Sequence, residues 1–404
     1  MQTKIIIKRL SELPKMPSTI GTMVWNQTGD WRYLTPGVRD KQAPCSQNCP
    51  LGISIPVYLN AVKNGNLETG LSTLLADNPL PGLTGRLCYH PCQGKCVRKK
   101  IDRAIPIRQI ERVLADFGTE VKIENSEKTG QQVVIIGSGP LGLSSAFFLS
   151  CRGCQVVILD PNHQAGGALL EISPEKIEPT VIADEINRLI RLADIKLETG
   201  SVIDFHTPGQ LLSKADLIIL DPTGLLDSFN YPANAVAFNP LSDDTITGDI
   251  ILAQLSPNII PFKASMIAHY ILTGRLMAQK AYDYLASCSG LQGLEQPNPS
   301  RSRQAVKAED IKIERYSASD FVAEVNADRQ GTGDINQALQ DSGYCLSCGT
   351  CNLCLQCVLS CPDASIRLDA GETNVKVDFD HCKGCGICAY ECPRGVIAME
   401  EISE

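Results

Sequence analysis

Residues 351–362 read CNLCLQCVLSCP and residues 382–393 read CKGCGICAYECP. Both follow C-x2-C-x2-C-x3-C-P, and together with Cys345 and Cys348 they hold ten of the chain's eighteen cysteines. Steps this short bring three thiolates of one loop to three corners of a [4Fe-4S] cube, while the fourth cysteine of each run crosses to the other cube. The predicted ligand sets are Cys351, Cys354, Cys357 and Cys392 for one cluster, and Cys382, Cys385, Cys388 and Cys361 for the other. Cubes held in this way carry electrons, so the two runs predict electron transfer.

Zinc and disulfides explain the pattern poorly. Structural zinc uses separated C-x2-C pairs or Cys/His sets, and the five histidines are scattered without ligand spacing. Disulfides need an oxidising compartment, whereas the opening MQTKIIIKRLSELPKMP has no signal-peptide core, so a cytoplasmic location is expected. With 37 Lys and Arg against 45 Asp and Glu the net charge is −8, which offers no general attraction to nucleic acid. No apolar run approaches the length that spans a bilayer, so direct membrane contact is not expected.

At 404 residues and 43 % hydrophobic content the chain is long enough for two or three modules, and the cysteines mark them. Five fall between Cys45 and Cys96, three are scattered at Cys151, Cys154 and Cys288, and ten are C-terminal. The predicted class is α/β. Its parts are an N-terminal extension over 1–40, a helical iron-sulfur domain over 41–120, and a Rossmann-like doubly wound domain over 121–290. A polar linker with at most one short helix follows over 291–343, then a two-cluster ferredoxin domain of α+β type over 344–404.

The middle module opens on QQVVIIGSGPLGLSSAFFLS. Val133 to Ile136 reads as a buried parallel strand, Gly137, Gly139 and Gly142 form G-x-G-x-x-G, and a helix follows. Such glycines permit a tight turn and close approach of a pyrophosphate, which the helix N-terminus attracts. A second strand ends at Asp160, eighteen residues after Gly142, where an acidic side chain can take ribose hydroxyls. Gly166, Gly167, a helix over Pro179 to Ala193 and the strand ADLIILDPTG complete the pattern. The alternative is a doubly wound domain that has kept its fold and lost its ligand.

Cys151 and Cys154 spell C-x2-C at the C-terminal end of the glycine-turn helix, where the dipole disfavours a reactive thiolate. They and Cys288 read as structural. The basic string Val97, Arg98, Lys99, Lys100 has three readings: raising the potential of a nearby cluster, docking an acidic carrier, or forming an ordinary solvated face.

The stretches APCSQNCPLGISIPVYLNAVKNGN, NPLPGLTGRLCYHPCQGKCVRK and AIPIRQIERVLADFG resemble the iron-sulfur domain of the small subunit of glutamate synthase and its relatives. The likeness runs on through the glycine turn and GGALL, covering roughly residues 40 to 288, and implies FAD. On this resemblance Asp249 is the residue expected at the ribityl or phosphate region. Two departures matter. Such proteins insert a second glycine-turn domain for NAD(P)H, and this chain has no second G-x-G-x-x-G, which argues against a self-contained NAD(P)H dehydrogenase. They also carry a cysteine pair shortly before the position of Cys45, and LTPGVRDKQAP has none.

Cys345 and Cys348 are surplus to the two ferredoxin cubes, so a composite cluster on Cys45, Cys96, Cys345 and Cys348 is expected, pinning the ferredoxin module to the N-terminal one. Cys49, Cys88 and Cys92 make three ligands of a further cluster. The resemblance implies a carboxylate or amide as the fourth, and Glu111 of IERVLAD stands there; the alternative for Glu111 is a solvated helix face. Four [4Fe-4S] clusters are expected in all. Asp221 and Pro222 stand before Thr223 and Gly224 where flavin domains present small residues, which puts a charge close to where a cofactor would lie.

HCKGCGICAYECPRGVIAME, with TGDWRYLTP near the N-terminus, resembles the delta subunit of pyruvate:ferredoxin oxidoreductase and other 2-oxoacid oxidoreductases. The two segments flank the flavin-like region as if it were inserted into a delta-type ferredoxin. The resemblance implies an electron-transfer subunit of a 2-oxoacid:acceptor oxidoreductase, arylglyoxylate types such as phenylglyoxylate included. Its catalytic partners would be thiamine-diphosphate subunits, and electrons would pass to or from a flavin and a ferredoxin-like or NAD-reducing partner. No catalytic set is recognisable on the chain itself. The alternatives are a stand-alone NAD(P)H:ferredoxin-type flavin oxidoreductase and a flavin-free iron-sulfur adaptor.

Overall fold

The computed structural model describes residues 27–39, 41–118, 121, 126–201, 215–223, 236–238, 250–253, 262–289, 334–369 and 375–402. They belong to two compact bodies, Gln42–Thr350 and Met1–Lys41 with Cys351–Glu404. Residues 344–350, read above with the ferredoxin module, therefore group with the first body. The N-terminal extension groups with the second.

Strand β1 (Leu34–Val38) opens the described chain and belongs to the second body. The first body begins with short helices: α1 (Pro44–Gln47), α2 (Ile55–Lys63), α3 (Leu67–Leu75), α4 (Pro81–Leu87), α5 (Pro91–Gly94) and α6 (Ile107–Phe117). Proline in the first turn starts α1, α2, α4 and α5, where its missing N–H costs nothing and its fixed φ suits the helix. Asn66 caps α3 by accepting from Thr69 N at 2.9 Å. Tyr58, Leu59, Leu83, Ile110 and Leu114 close the apolar interior.

A parallel sheet follows, built from β2 (Gln132–Ile136), β3 (Gln155–Asp160), β4 (Lys196–Thr199), β5 (Leu217–Leu220), β6 (Val236–Phe238) and β7 (Ile250–Ala253), in the order β4-β3-β2-β5-β7-β6. Central strands of such a sheet are covered on both faces and so are apolar throughout: Val133–Ile136 and Leu217–Leu220 are all buried. Helix α7 (Pro140–Cys151) joins β2 to β3 and is buried along its length through Ser150. Helix α8 (Pro179–Ala193) has the bounds read in the sequence. Helix α9 (Ile267–Ser289) crosses α7 at Gly274, whose carbonyl accepts from Ser145 Oγ at 3.1 Å. A Cβ at Gly274 would lie 2.6 Å from the carbonyl oxygen of Leu141.

Helix α10 (Ile335–Gly343) lies in the stretch read as linker, of which residues 291–333 fall outside the described residues. Asp334 caps it, accepting from Asn336 N at 2.8 Å, and Arg103 reaches Asp341 at 2.8 Å. The helix packs on α2 and α6. That packing brings the following segment, with Cys345 and Cys348, into the first body.

In the second body, helices α11 (Gln356–Leu359) and α12 (Ile387–Tyr390) follow the two cysteine loops, with strands β8 (Ile366–Arg367) and β9 (Lys376–Val377) between them. The last strand, β10 (Ile397–Glu401), pairs antiparallel with β1 from Leu34↔Glu401 to Val38↔Ile397. Gly29 N donates to Asp380 O at 2.9 Å and Thr28 Oγ1 to His381 O. The core is small and partly made of sulfur: Cys357, Ile366, Val375, Cys388, Val396 and Ile397. Among the described residues no helix is long and apolar enough to cross a membrane.

A Cβ at Gly29 would overlap the carbonyl oxygens of Phe379 and Asp380. Gly29→Ala should therefore cost the second body about 1–3 kcal/mol, the usual scale of overpacking. Removing the exposed ion pair of Arg39 with Glu400 should cost under about 1 kcal/mol. Anaerobic urea unfolding of the full chain, followed by tryptophan fluorescence, checks the ranking.

Candidate metal centres

Three cavities of about 340, 360 and 300 Å³ are each lined by four cysteines. The first, in the Gln42–Thr350 body, is ringed by Cys45, Cys96, Cys345 and Cys348. The other two lie in the ferredoxin body. One is ringed by Cys351, Cys354, Cys357 and Cys392, the other by Cys361, Cys382, Cys385 and Cys388. The structure thus brings together the residues of all three predicted sets, crossed cysteines included. None of the eighteen cysteines is in a disulfide. Among the described residues no three Cys, His, Asp or Glu side chains converge tightly enough for a single metal ion, as expected where thiols are spread round a cube.

Backbone conformation aims the thiols. Leu353 and Leu355 in the first loop and Gly384 and Gly386 in the second, equivalent positions in the two runs, all have left-handed φ between +55° and +79°. Alternating handedness of this kind turns successive N–H groups inward to form an anion-binding concavity. Ser365 N also points at Cys361 Sγ at 3.3 Å, and Ser347 N at Cys345 Sγ at 3.4 Å. Hydrogen bonds to cluster sulfurs are one of the controls on potential.

Burial, then the neighbouring thiols Cys345, Cys96 and Cys348, push Cys45 well above the ordinary thiol range. Burial with neighbouring cysteines likewise raises Cys357 to about 11. Thiols raised in this way stay protonated in the absence of a cation, whereas a coordinating metal deprotonates its thiols outright.

Cys49, Cys88, Cys92 and Glu111 share one buried neighbourhood. Burial, with Glu111 next in weight, raises Cys49 to about 12, and the same causes, with Cys49 and Cys88, raise Cys92 further. Glu111 is 3 % exposed, so its helix face is not solvated. Its Oε1 accepts from Tyr58 OH at 3.1 Å, and its Oε2 lies 3.2 Å from His90 Nε2. His90 has no role that spacing reveals; its left-handed backbone (φ 49°) and the 2.9 Å contact of Nδ1 with Cys88 O fix the ring there.

Each cavity also carries a basic side chain: Arg98, Arg394 and Lys383 respectively. Of the string Val97 to Lys100, Lys99 and Lys100 are solvated while Arg98 is 2 % exposed. Its guanidinium lies 5.0 Å from the Tyr344 ring centroid and donates to Tyr344 O at 2.7 Å. Cys151 is pushed to about 12 by burial, with Arg152 pulling the other way, in keeping with an inert thiol, and Cys288 is exposed.

The glycine turn is closed by the chain itself. Ser138 donates through its amide at 2.8 Å and through its hydroxyl to Asp160 Oδ2, and Asn162 N donates to Asp160 Oδ1 at 2.8 Å. Gly166 N donates to Ser138 Oγ at 2.8 Å. Asp221 Oδ2 accepts from Gly142 N at 2.7 Å, and its Oδ1 accepts from Thr223 N at 2.8 Å and Thr223 Oγ1 at 2.5 Å. Burial pushes Asp221 up to about 7 against the pull of Thr223 and Gly142. A Cβ on Gly139 would overlap Thr223 Oγ1 and O, and one on Gly167 would lie 2.5 Å from Thr223 O. A dinucleotide needs free N–H groups at the helix start, room over the second glycine and an open acidic side chain. Among the described residues Gly142 N and the Asp160 carboxylate are bonded within the chain and Thr223 stands over Gly139, so the turn in this arrangement presents few free groups to FAD. Asp249 lies outside the described residues.

Residues 38–123 match the family model of dihydropyrimidine dehydrogenase domain II, 4Fe-4S cluster. Residues 350–396 match that of the 4Fe-4S dicluster domain, and residues 135–184 that of the NAD(P)-binding Rossmann-like domain. The chain is 33 % identical over 212 residues to NADP(+)-dependent formate dehydrogenase subunit beta of Moorella thermoacetica, covering 45 % of this chain and 29 % of that one. It is 31 % identical over 188 residues to NADPH-Fe(3+) oxidoreductase subunit beta of Geobacter sulfurreducens, covering 45 % and 28 %. It is 34 % identical over 182 residues to the small chain of glutamate synthase [NADPH] of Bacillus subtilis, covering 43 % and 36 %. The chain thus spans little more than a third, or less, of these relatives. It combines a helical N-terminal iron-sulfur domain, a Rossmann-like region and a C-terminal ferredoxin domain, and it carries [4Fe-4S] clusters.

Proposed function

We propose that the chain is an electron-transfer subunit of a larger oxidoreductase, with substrate chemistry on partner chains and four [4Fe-4S] clusters on its own. The observation that carries this reading is that three cavities of similar size are each ringed by four cysteines, two of them in the crossed sets that the spacing demands. Cys49, Cys88, Cys92 and Glu111 would hold the fourth cube. Only Gly349 and Thr350 separate Cys348 from Cys351 in sequence, so the polypeptide passes directly from the ligands of one cube to those of the next. The basic side chains at the cavities are partly balanced by carboxylates, Arg98 by Asp102 and Lys383 by Asp363 at 3.1 Å, so the net charge at each cube is one of the controls on its potential.

Two kinds of assembly are supported by different observations. The segments that resemble a 2-oxoacid oxidoreductase delta subunit, Thr28–Pro36 and the C-terminal cysteine run, are hydrogen-bonded into one body, as parts of a single inherited module would be. The relatives are named instead for NADP-dependent formate oxidation, NADPH-linked iron reduction and glutamate synthesis. That favours an assembly that exchanges electrons with a nicotinamide through another chain. Thiamine diphosphate, flavin and nicotinamide analysis of the complex purified anaerobically through a tag on this chain separates the two. A chain that is colourless or binds only zinc under those conditions ends the cluster reading altogether.

Cys345→Ser should remove about four iron and four sulfide per chain and abolish one spectral component after dithionite reduction, while Cys288→Ser should leave both unchanged. Iron and sulfide analysis of the full chain checks this, and an unaltered count in Cys345→Ser rules out the composite ligand set. For Glu111, replacement by Ala should change the electron paramagnetic resonance of one reduced cluster without altering those of the ferredoxin body. A spectrum identical to the parent's would leave Glu111 as a partner of Tyr58 and His90 only.

A further inference from the structure

We infer that the Asp221 carboxyl group is a built-in acceptor at the glycine turn, standing where a dinucleotide phosphate would lie, and that the Rossmann-like region is a closed scaffold.

The argument begins with topology. Strand β5 is hydrogen-bonded to β2, and Asp221 N extends that ladder to Ile136 O at 2.8 Å. The residue after β5 therefore lands beside the turn that follows β2, at the switch point where open α/β sheets bind ligands. In this chain that residue carries a carboxyl group. The first N–H groups of α7 have no partner inside the helix; Pro140 removes one of them, and Gly142 N is given to Asp221 at 2.7 Å. A helix N-terminus favours an electronegative acceptor, and here a side chain supplies it without a ligand.

Steric closure is an independent observation. In a binding turn the second glycine leaves room for pyrophosphate, but here Thr223 occupies the space over Gly139, and its carbonyl also faces Gly167. Asp221 binds Thr223 through both amide and hydroxyl, so the carboxylate that satisfies the helix also holds the plug in place. Asp160, the candidate ribose ligand, is 1 % exposed and bonded to Ser138 and Asn162. Every residue from 133 to 150 is buried, so among the described residues the turn and the helix that follows it are covered.

The test uses the full chain, purified anaerobically and assayed for iron and sulfide in the same sample, so that a failure of the cluster reading registers separately. Acid release should yield no FAD and no nicotinamide from the wild type, and neither added FAD nor inorganic pyrophosphate should shift its melting temperature. Asp221→Ala should melt lower, because Gly142 N and both Thr223 donors lose their acceptor, and pyrophosphate should restore part of that loss. Asp221→Asn, which keeps an acceptor oxygen, should fold and melt between the two. Stoichiometric FAD in the wild type overturns the inference, as does stabilisation of wild type and Asp221→Ala alike by pyrophosphate. If Asp221→Ala does not fold, the wild-type flavin and pyrophosphate measurements and Asp221→Asn still decide the question.

Discussion

Sulfur atoms facing one another across a small cavity repel as soon as they ionise, and much of this structure follows from that constraint. Without a cation Cys45, Cys49 and Cys357 stay protonated, as their raised values express. With iron the penalty reverses, because the metal supplies the positive charge that the protein lacks there. The ferredoxin body shows how much depends on the exchange. Cysteines form part of its core, and the remaining apolar side chains are too few to stabilise a body of that size alone. Metal binding and folding are therefore one event in this body.

The same constraint decides what was legible in sequence. Ligand spacing is a local, covalent property, and the four-cysteine rings of the ferredoxin body could be written down from two twelve-residue runs. The composite ring needed an argument from count, since Cys45 and Cys345 are three hundred residues apart; what the sequence hid was the means of bringing them together. That means is α10, which reads as a modest polar helix in a polar stretch. It docks on α2 and α6 and is tied down by the Arg103–Asp341 pair. Arg98 was masked by its neighbours, because a basic string looks solvated whether or not one member turns inward. His90 was invisible for another reason: its role depends on a left-handed backbone and on Glu111, twenty-one residues on, and neither leaves a spacing signal. The glycine turn shows the opposite limit. Its motif is intact, and only the pair Asp221 and Pro222 hinted that the space above it is used.

The ferredoxin body is discontinuous in sequence. Its β1 edge comes from the N-terminal end and its cysteine loops from the C-terminal end, with Gln42–Thr350 folded as a separate body between them. An edge strand such as β10 invites pairing with another chain; β1 covers it over five residues, and Gly29 brings the preceding turn against Phe379 and Asp380. A body held by thiolate ligation inside and a strand pair at its edge tolerates a long insertion, because neither element depends on the chain between them being short.

If the Rossmann-like region binds no dinucleotide, its retention still has a physical reason. Helix α8 presents Glu185, 5 % exposed, to the start of α4, where it accepts from Gly82 N at 2.8 Å. Gly82 has no room for a side chain because Glu185 occupies that space. Arg188 closes on Glu185 at 2.6 Å, and Arg86 on α4 pairs with Asp116 on α6 at 2.9 Å. Helix α4 ends at Leu87, and Cys88 follows directly. Buried, paired charges of this kind are poor at adding stability but good at fixing one arrangement. Here they fix the helix that delivers Cys88 and Cys92 to the neighbourhood of Glu111. The doubly wound sheet thus acts on the clusters mechanically: it anchors α8, α8 orients α4, and α4 sets the position of the sulfur ligands that follow it.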